Sequence, residues 1–317
     1  MATRVRITDV SPRDGLQNEP GVIPAAEKAE LIVRLCATGV DEVEVGSFVS
    51  PKWIPQLGDT AEVAAILRRR SSELGAERPL FSYLVPNERG MSEAERIGAA
   101  APGVDKVAVF TAASETFCRR NINATIAESI ERFRPVVERA RRMPGGPISV
   151  RGYISCVIAC PFEGAIEAQR VADVARMLIE AGVDEIDLGD TIGAGTPDSV
   201  RRLLSAVLDA IGEEWLGVRR GSERGLTLHL HDTFGRAAEC VRAALDMGVR
   251  SFDGSVAGLG GCPYAGTPEK RAPGNISTEL LVRTVQDAGY KTGVHLDRLA
   301  EAAEYAREIV GRARRIA

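Results

Sequence analysis

Three stretches decide the fold: Ala37-Thr-Gly-Val-Asp-Glu-Val43, Ala181-Gly-Val-Asp-Glu-Ile186 and Asp246-Met-Gly-Val-Arg-Ser-Phe252. Each closes a run of helical periodicity on a glycine and at once begins a strand-like run. Glycine just past a helix end accepts the left-handed backbone that stops the helix. Helix, glycine stop, strand is the αβ junction of a β/α unit, and its recurrence predicts a chain of such units.

Outward from these junctions, short β-branched runs predict eight strands, at residues 5–10, 42–48, 80–85, 106–111, 149–156, 185–189, 226–231 and 251–256. Their spacing leaves room for one helix after each. The clearest helices have a 3.6-residue apolar period over 25–38 and 165–181 and stop at Gly39 and Gly182. Eight units predict an α/β chain closed as a (β/α)8 TIM barrel, one catalytic domain over 1–317 with C-terminal helices. The runner-up is a doubly wound sheet, which ordinarily shows a Gly-rich turn after its first strand. Here that strand runs into Ser11-Pro-Arg-Asp-Gly15. Polar stretches at 71–78, 141–146 and 219–224 predict loops at the opposite, N-terminal face of the strands.

With 44% hydrophobic and 26% charged residues, the 317-residue chain can bury a large core and is not disordered. Its net charge of −4 and the lack of a basic, aromatic-interleaved stripe argue against a nucleic-acid partner. No apolar run approaches the roughly 18 residues of a membrane span. The N-terminus enters a strand pattern directly, without a targeting segment. Six scattered cysteines suit reduced thiols, so a cytoplasmic protein is expected.

Reactive groups of a TIM barrel sit at the C-terminal ends of its strands. Arg13 and Asp14 follow the first predicted strand, Glu44 lies on the second, and Asp190 follows the sixth. His229, His231 and Asp232 close the seventh, and Cys262 follows the eighth. His229-Leu-His231 places two imidazoles on one face of a strand. Alone, the pair reads as hydrogen-bonded support of the core; with Asp14 nearby, a divalent metal such as Mg²⁺ or Mn²⁺ becomes the better reading. Arg13 offers a fork of donors to an oxyanion. Glu44, among strand apolars, needs a partner, and Arg13 is the natural one, in catalysis or in simple pairing. Asp190 is either a carboxylate at the barrel mouth or a cap of the next segment. Gly258-Leu-Gly-Gly-Cys-Pro-Tyr-Ala-Gly266 reads as a lid carrying Cys262, or as a flexible loop with an incidental thiol. The other cysteines look like core residues, and His295 like a helix-end residue.

Together these residues resemble the 3-hydroxy-3-methylglutaryl-CoA lyase family, among the metal-dependent TIM-barrel lyases with a pyruvate carboxyltransferase-like domain. The likeness runs over nearly the whole chain. It includes Ser11-Pro-Arg-Asp-Gly-Leu-Gln-Asn-Glu19, Ser47-Phe-Val-Ser-Pro-Lys-Trp53, Arg151-Gly-Tyr-Ile-Ser-Cys156, Gly189-Asp-Thr-Ile-Gly193, His229-Leu-His-Asp-Thr-Phe-Gly235 and Val256-Ala-Gly-Leu-Gly-Gly-Cys-Pro-Tyr-Ala265. The resemblance implies metal ligands at Asp14, His229, His231 and Asn275. It also implies a catalytic Arg13, a loop thiol at Cys262, and supporting carboxylates at Glu44 and Asp190. The implied reaction is the retro-Claisen cleavage of 3-hydroxy-3-methylglutaryl-CoA, or a close 3-alkyl analogue, to acetyl-CoA and acetoacetate or its analogue. Asp190 or His229 would take the hydroxyl proton. Partners are then an acyl-CoA thioester and a second copy of the chain in a homodimer. One departure stands out: Thr267-Pro-Glu-Lys-Arg-Ala-Pro273 makes the stretch from Cys262 to Asn275 about four residues longer than the family usually carries, which bears on the acyl group. The rival readings are a synthase condensing an acyl-CoA with a 2-oxo acid on the same scaffold, and a non-catalytic acyl-CoA-binding barrel.

Overall fold

A computed structural model of the chain describes residues 3–98, 101–216, 224–261 and 274–316. Eight strands form a closed barrel: β1 (Arg6–Asp9), β2 (Glu42–Ser47), β3 (Leu80–Leu84), β4 (Lys106–Ala112), β5 (Ser149–Ser155), β6 (Glu185–Asp190), β7 (Gly225–Leu230) and β8 (Ser251–Gly254). All pair in parallel with their sequence neighbours, and β8 returns to β1 with Arg6 opposite Ser251. Every predicted strand is present, to within two residues at either end. Helices α1 (Ala25–Cys36), α2 (Thr60–Arg69), α3 (Glu88–Gly98), α4 (Glu115–Ile122), α5 (Ile126–Ala140), α6 (Ala168–Glu180), α7 (Pro197–Ile211), α8 (Ala237–Asp246), α9 (Thr278–Asp287) and α10 (Leu296–Ile316) surround the barrel.

The junction glycines stop their helices as expected: Gly39, Gly182 and Gly248 have φ of 86°, 96° and 93°. The residues after them do two further jobs. In Val40-Asp41-Glu42, Val104-Asp105-Lys106 and Val183-Asp184-Glu185, the aspartate accepts the backbone N–H that opens the neighbouring strand: Ile7 at 3.0 Å, Phe81 at 2.7 Å and Val150 at 2.8 Å. The next residue turns into the barrel. Lys106 Nζ donates to Glu42 at 2.6 Å and to Glu185 at 2.7 Å.

Period two then sorts the strands. Ile7, Val43, Phe81, Val107, Val150, Ile186, Leu228 and Phe252 face the helices and belong to one buried apolar core. The other face is polar. TIM-barrel interiors are ordinarily filled with branched aliphatics, whereas this one holds Glu42, Lys106, Arg151, Glu185, Asp187 and Asp253, all buried. Arg151 stands in their middle, 3.0 Å from Glu185, 3.2 Å from Glu42 and from Asp253, and 3.4 Å from Asp187. Charges can be buried this way only when paired, and removing one partner of such a set costs about 3–5 kcal/mol.

Two expectations need correction. Helix α6 starts at Ala168, not at 165, because Gly164–Ala165 pairs with Ala159–Cys160 in a short antiparallel hairpin. Residues 71–73, expected as plain loop, form a turn of 3-10 helix. Most of the 219–224 stretch, Cys262 and all of 267–273 lie outside the described residues. His295 is exposed and precedes α10, accepting the N–H of Leu299 at 3.0 Å. Among the described residues, no helix is long and apolar enough to cross a membrane.

Candidate active site and metal centre

The chain leaves β1 in a single wide helical turn, Ser11–Gly15, that carries Arg13 and Asp14 over the barrel mouth. Asp9 fixes that turn by accepting from Ser11 N at 3.0 Å, Val256 N at 3.1 Å and Thr278 Oγ1 at 2.6 Å, so it ties the turn to the loop after β8. Gly15 is required by close packing, because a Cβ there would lie 2.8 Å from Ser255 Oγ. Gly260 is a second such place: it has φ of 100°, and a Cβ would lie 2.7 Å from the amide nitrogen of Asn275.

A cavity of about 700 Å³ opens at the C-terminal ends of the strands, with Arg13, Asp14, His229, His231 and Tyr153 on its polar wall. Leu84, Phe110, Phe117, Phe133 and Ile154 form an apolar wall, and Trp53, Arg120 and Arg132 also line it. Arg13 donates from Nε to Glu44 Oε2 and from Nη1 to Asp14 Oδ1, each at 2.6 Å, and lies 5.4 Å from the ring centre of Tyr153. Burial works against its charge, but Glu44 and Asp14 outweigh that and keep it protonated. Glu44 is buried, and burial pushes its carboxyl up despite Arg13.

Asp14 Oδ2, His229 Nε2 and His231 Nε2 converge. The two imidazole nitrogens are 3.4 Å apart, and Asp14 Oδ2 is 3.9 Å from His229 Nε2. The three residues bring their ligand atoms within 4.8 Å of one another. Burial favours the neutral acid at Asp14, but Arg13, the two histidines and the Asn275 amide together hold it well below the usual carboxylate range. His231 is pushed down to about 4 by burial and then by His229, so it is a neutral imidazole at neutral pH, the form that binds metals. Its Nδ1 is buried and has no hydrogen-bond partner among the described residues. His229 is shifted the other way: burial works against its charge, but the bond to Asp253 and the charge of Asp14 outweigh it and raise its pKa. A carboxylate and two imidazoles aimed at one point suit a divalent ion. Asn275 joins from the loop beyond β8: its amide nitrogen donates to Asp14 Oδ2 at 2.8 Å and to the Leu259 carbonyl at 3.0 Å.

Asp190 departs from the expected place at the mouth. It pairs in register with Leu230, on the face of the sheet opposite His229. Its carboxylate accepts from Ala194 N at 3.0 Å and from Gly195 N at 2.7 Å, which braces the loop after β6. Burial first, against those two donors, pushes it up to about 6. It is a brace of that loop and not the N-cap of α7, which is Thr196. Sequence reading missed Asp253 altogether: this carboxylate lies beside His229 on β8, 3.3 Å from its Nδ1. It singled out no role for Arg151 or Tyr153. The signal was available, since parallel strands covered on both faces are expected to be continuously apolar, and Arg151-Gly-Tyr153, Glu185-Ile-Asp187 and Ser251-Phe-Asp253 alternate instead.

Comparison with known proteins places the chain in a family. The HMGL-like family model matches residues 4–305. A 3-hydroxy-3-isohexenylglutaryl-CoA/hydroxy-methylglutaryl-CoA lyase from Pseudomonas aeruginosa is 43% identical over 98% of this chain and 94% of its own length. The crystal structure of an HMG-CoA lyase from Brucella melitensis superposes with a TM-score of 0.85 at 42% identity, covering 98% of this chain and 100% of that one. An HMG-CoA lyase from Acinetobacter baumannii, solved with coenzyme A and 3-methylmalate, gives 0.82 at 33% identity, over 97% and 92% of the two chains.

Proposed function

Because the chain belongs to the HMGL-like family, we propose that it is a carbon–carbon lyase that cleaves 3-hydroxy-3-methylglutaryl-CoA, or a close 3-alkyl analogue, to acetyl-CoA and a 3-oxo acid. The observation that carries this reading is the convergence of Asp14, His229 and His231 beside Arg13 on one wall of the cavity.

Asp14, His229 and His231 would hold a divalent ion, Mg²⁺ or Mn²⁺, with Asn275 as a further ligand through its amide oxygen. Bound there, the ion supplies Lewis acidity to the substrate's hydroxyl and carboxylate oxygens. Arg13 does the other half of the work. Breaking the C2–C3 bond leaves the electron pair on the acetyl-CoA fragment as an enolate, with charge on the thioester oxygen. A guanidinium already fixed by Glu44 and Asp14 meets that charge without reorganising. One sequence expectation narrows at this point: His229 can take the hydroxyl proton only while its Nε2 is not holding the ion. Asp190 faces away from the cavity. The acceptor is therefore one of Asp14, His229 and His231, which are the carboxylate and imidazoles among the described lining residues. Cys262, the loop thiol of the resemblance, would protonate the enolate or shield it from water.

The substrate's CoA portion fits the outer part of the cavity, where Arg120 and Arg132 suit phosphates. The apolar wall and the longer 267–273 stretch favour acyl selection that extends beyond methyl, in line with the isohexenyl-type substrate in the name of the Pseudomonas relative. Free thiols at Cys36, Cys118, Cys160 and Cys240 support a reducing, cytoplasmic setting, and a homodimer remains part of this reading. The test is acetyl-CoA release from 3-hydroxy-3-methylglutaryl-CoA, with Mg²⁺ or Mn²⁺ and after chelation.

A further inference from the structure

His229 and His231 share one strand face but are held differently. His231 Nδ1 is buried and has no hydrogen-bond partner among the described residues. His229 Nδ1 lies 3.3 Å from Asp253 Oδ2. The contact follows from strand register, since Asp253 on β8 is the partner of His229 on β7 and both side chains turn inward. Asp253 is itself clamped: Arg151 Nη1 donates to its two oxygens at 3.2 and 3.3 Å, and Tyr153 Oη donates to Oδ2 at 3.5 Å. Asp187, His229 and Asp253 also bring three ligand atoms within 4.8 Å. Arg151 already stands between those two carboxylates, so a second cation has no place there.

A carboxylate can only accept, so the proton on a neutral His229 belongs on Nδ1, and Nε2 is left bare. That bare nitrogen is the one facing Asp14 and His231. We propose that Asp253 is a positioning residue for the metal centre: it fixes the tautomer and tilt of His229, and Arg151 anchors it from the barrel interior. This inference rests on the metal-binding reading above. It ties the buried charge set beneath the site to the site's chemistry, beyond filling the barrel. Partners of this kind typically change metal affinity 10–100-fold when removed.

The experiment is Mn²⁺ titration of the full chain, with free Mn²⁺ read by electron paramagnetic resonance. Asp253→Ala is expected to weaken Mn²⁺ binding by about 10–100-fold. Saturating Mn²⁺ should then restore most of its kcat, with KM for the thioester nearly unchanged. Asp253→Asn keeps an acceptor oxygen and should lose less. Were Asp253 only a counter-ion for Arg151, both variants would melt earlier but bind Mn²⁺ within about threefold of the wild type, and that result overturns the proposal. A wild type that binds no Mn²⁺ overturns the metal reading itself and the proposal with it. Should Asp253→Ala fail to fold, the wild type still decides. The chain has three histidines, so ¹⁵N-histidine spectra with Mg²⁺ resolve each ring. Nδ1 protonation at His229 is expected; protonation at Nε2 would overturn the assignment.

Discussion

Arg13 bridges Glu44 and Asp14, giving Nε to one and Nη1 to the other at the same 2.6 Å. The guanidinium thus links a strand carboxylate to a candidate metal ligand. Both bonds need its planar fork. A lysine keeps the charge and loses that geometry. Arg13→Lys should lower kcat by roughly a hundredfold or more, the scale of one lost transition-state donor, with little change in KM. Steady-state kinetics decides: an unchanged kcat would leave Arg13 as Glu44's structural partner.

Asp14 and His231 carry the metal hypothesis. Asp14→Ala and His231→Ala should each lose tight Mn²⁺ binding and nearly all lyase activity while keeping the wild-type circular dichroism spectrum. His231→Ala removes a neutral imidazole, so it strands no buried charge and is the cleaner variant. Tight Mn²⁺ binding by His231→Ala would remove that residue from the ligand set.

Asp190 gives a pH prediction. Burial raises its carboxyl from the ordinary range near 3.9 to about 6. Between those values the folded chain holds a proton that the unfolded chain has released. The stabilisation is therefore present below about pH 4 and is lost as pH rises through 6. Asp190→Asn does not titrate. Relative to that variant, the wild type should lose about 2 kcal/mol of stability between pH 4 and pH 6.5. Urea denaturation of both proteins across that range measures it, and a constant difference would show that Asp190 ionises normally.

The stretch from Cys262 to Asn275 bears on acyl selection. Deleting residues 268–271 removes one proline and the charged Glu269, Lys270 and Arg271. The shortened chain should prefer 3-hydroxy-3-methylglutaryl-CoA over bulkier 3-alkyl thioesters more strongly than the parent does. Identical kcat/KM ratios across such analogues before and after the deletion would show that this stretch does not read the acyl group.

The strands were legible because period two and the Gly-stopped junctions are local signals. So was the His229–His231 face, since two residues on one strand settle it. Asp253 was not legible, because its meaning comes from a partner 24 residues away on another strand, set by register. The polar interior was missed for the same reason. Arg151 looks like an isolated charge until Glu42, Glu185, Asp187 and Asp253 are brought around it by closure of the barrel. Asp190 was misplaced although its orientation follows from the same period: with Asp187 inward, Asp190 must turn to the helices. The hairpin at 159–165 escaped because its two-residue strands are shorter than any periodicity test.

The most direct measurement is acetyl-CoA release from 3-hydroxy-3-methylglutaryl-CoA by the chelator-treated protein, before and after Mn²⁺ is returned. The account predicts almost no release by the stripped protein and recovery on addition of Mn²⁺, with the 3-oxo acid formed in equal amount. Full activity in the stripped protein would contradict the metal role of Asp14, His229 and His231. No release with Mn²⁺ or Mg²⁺ from this or any bulkier 3-alkyl thioester would contradict the lyase reading itself.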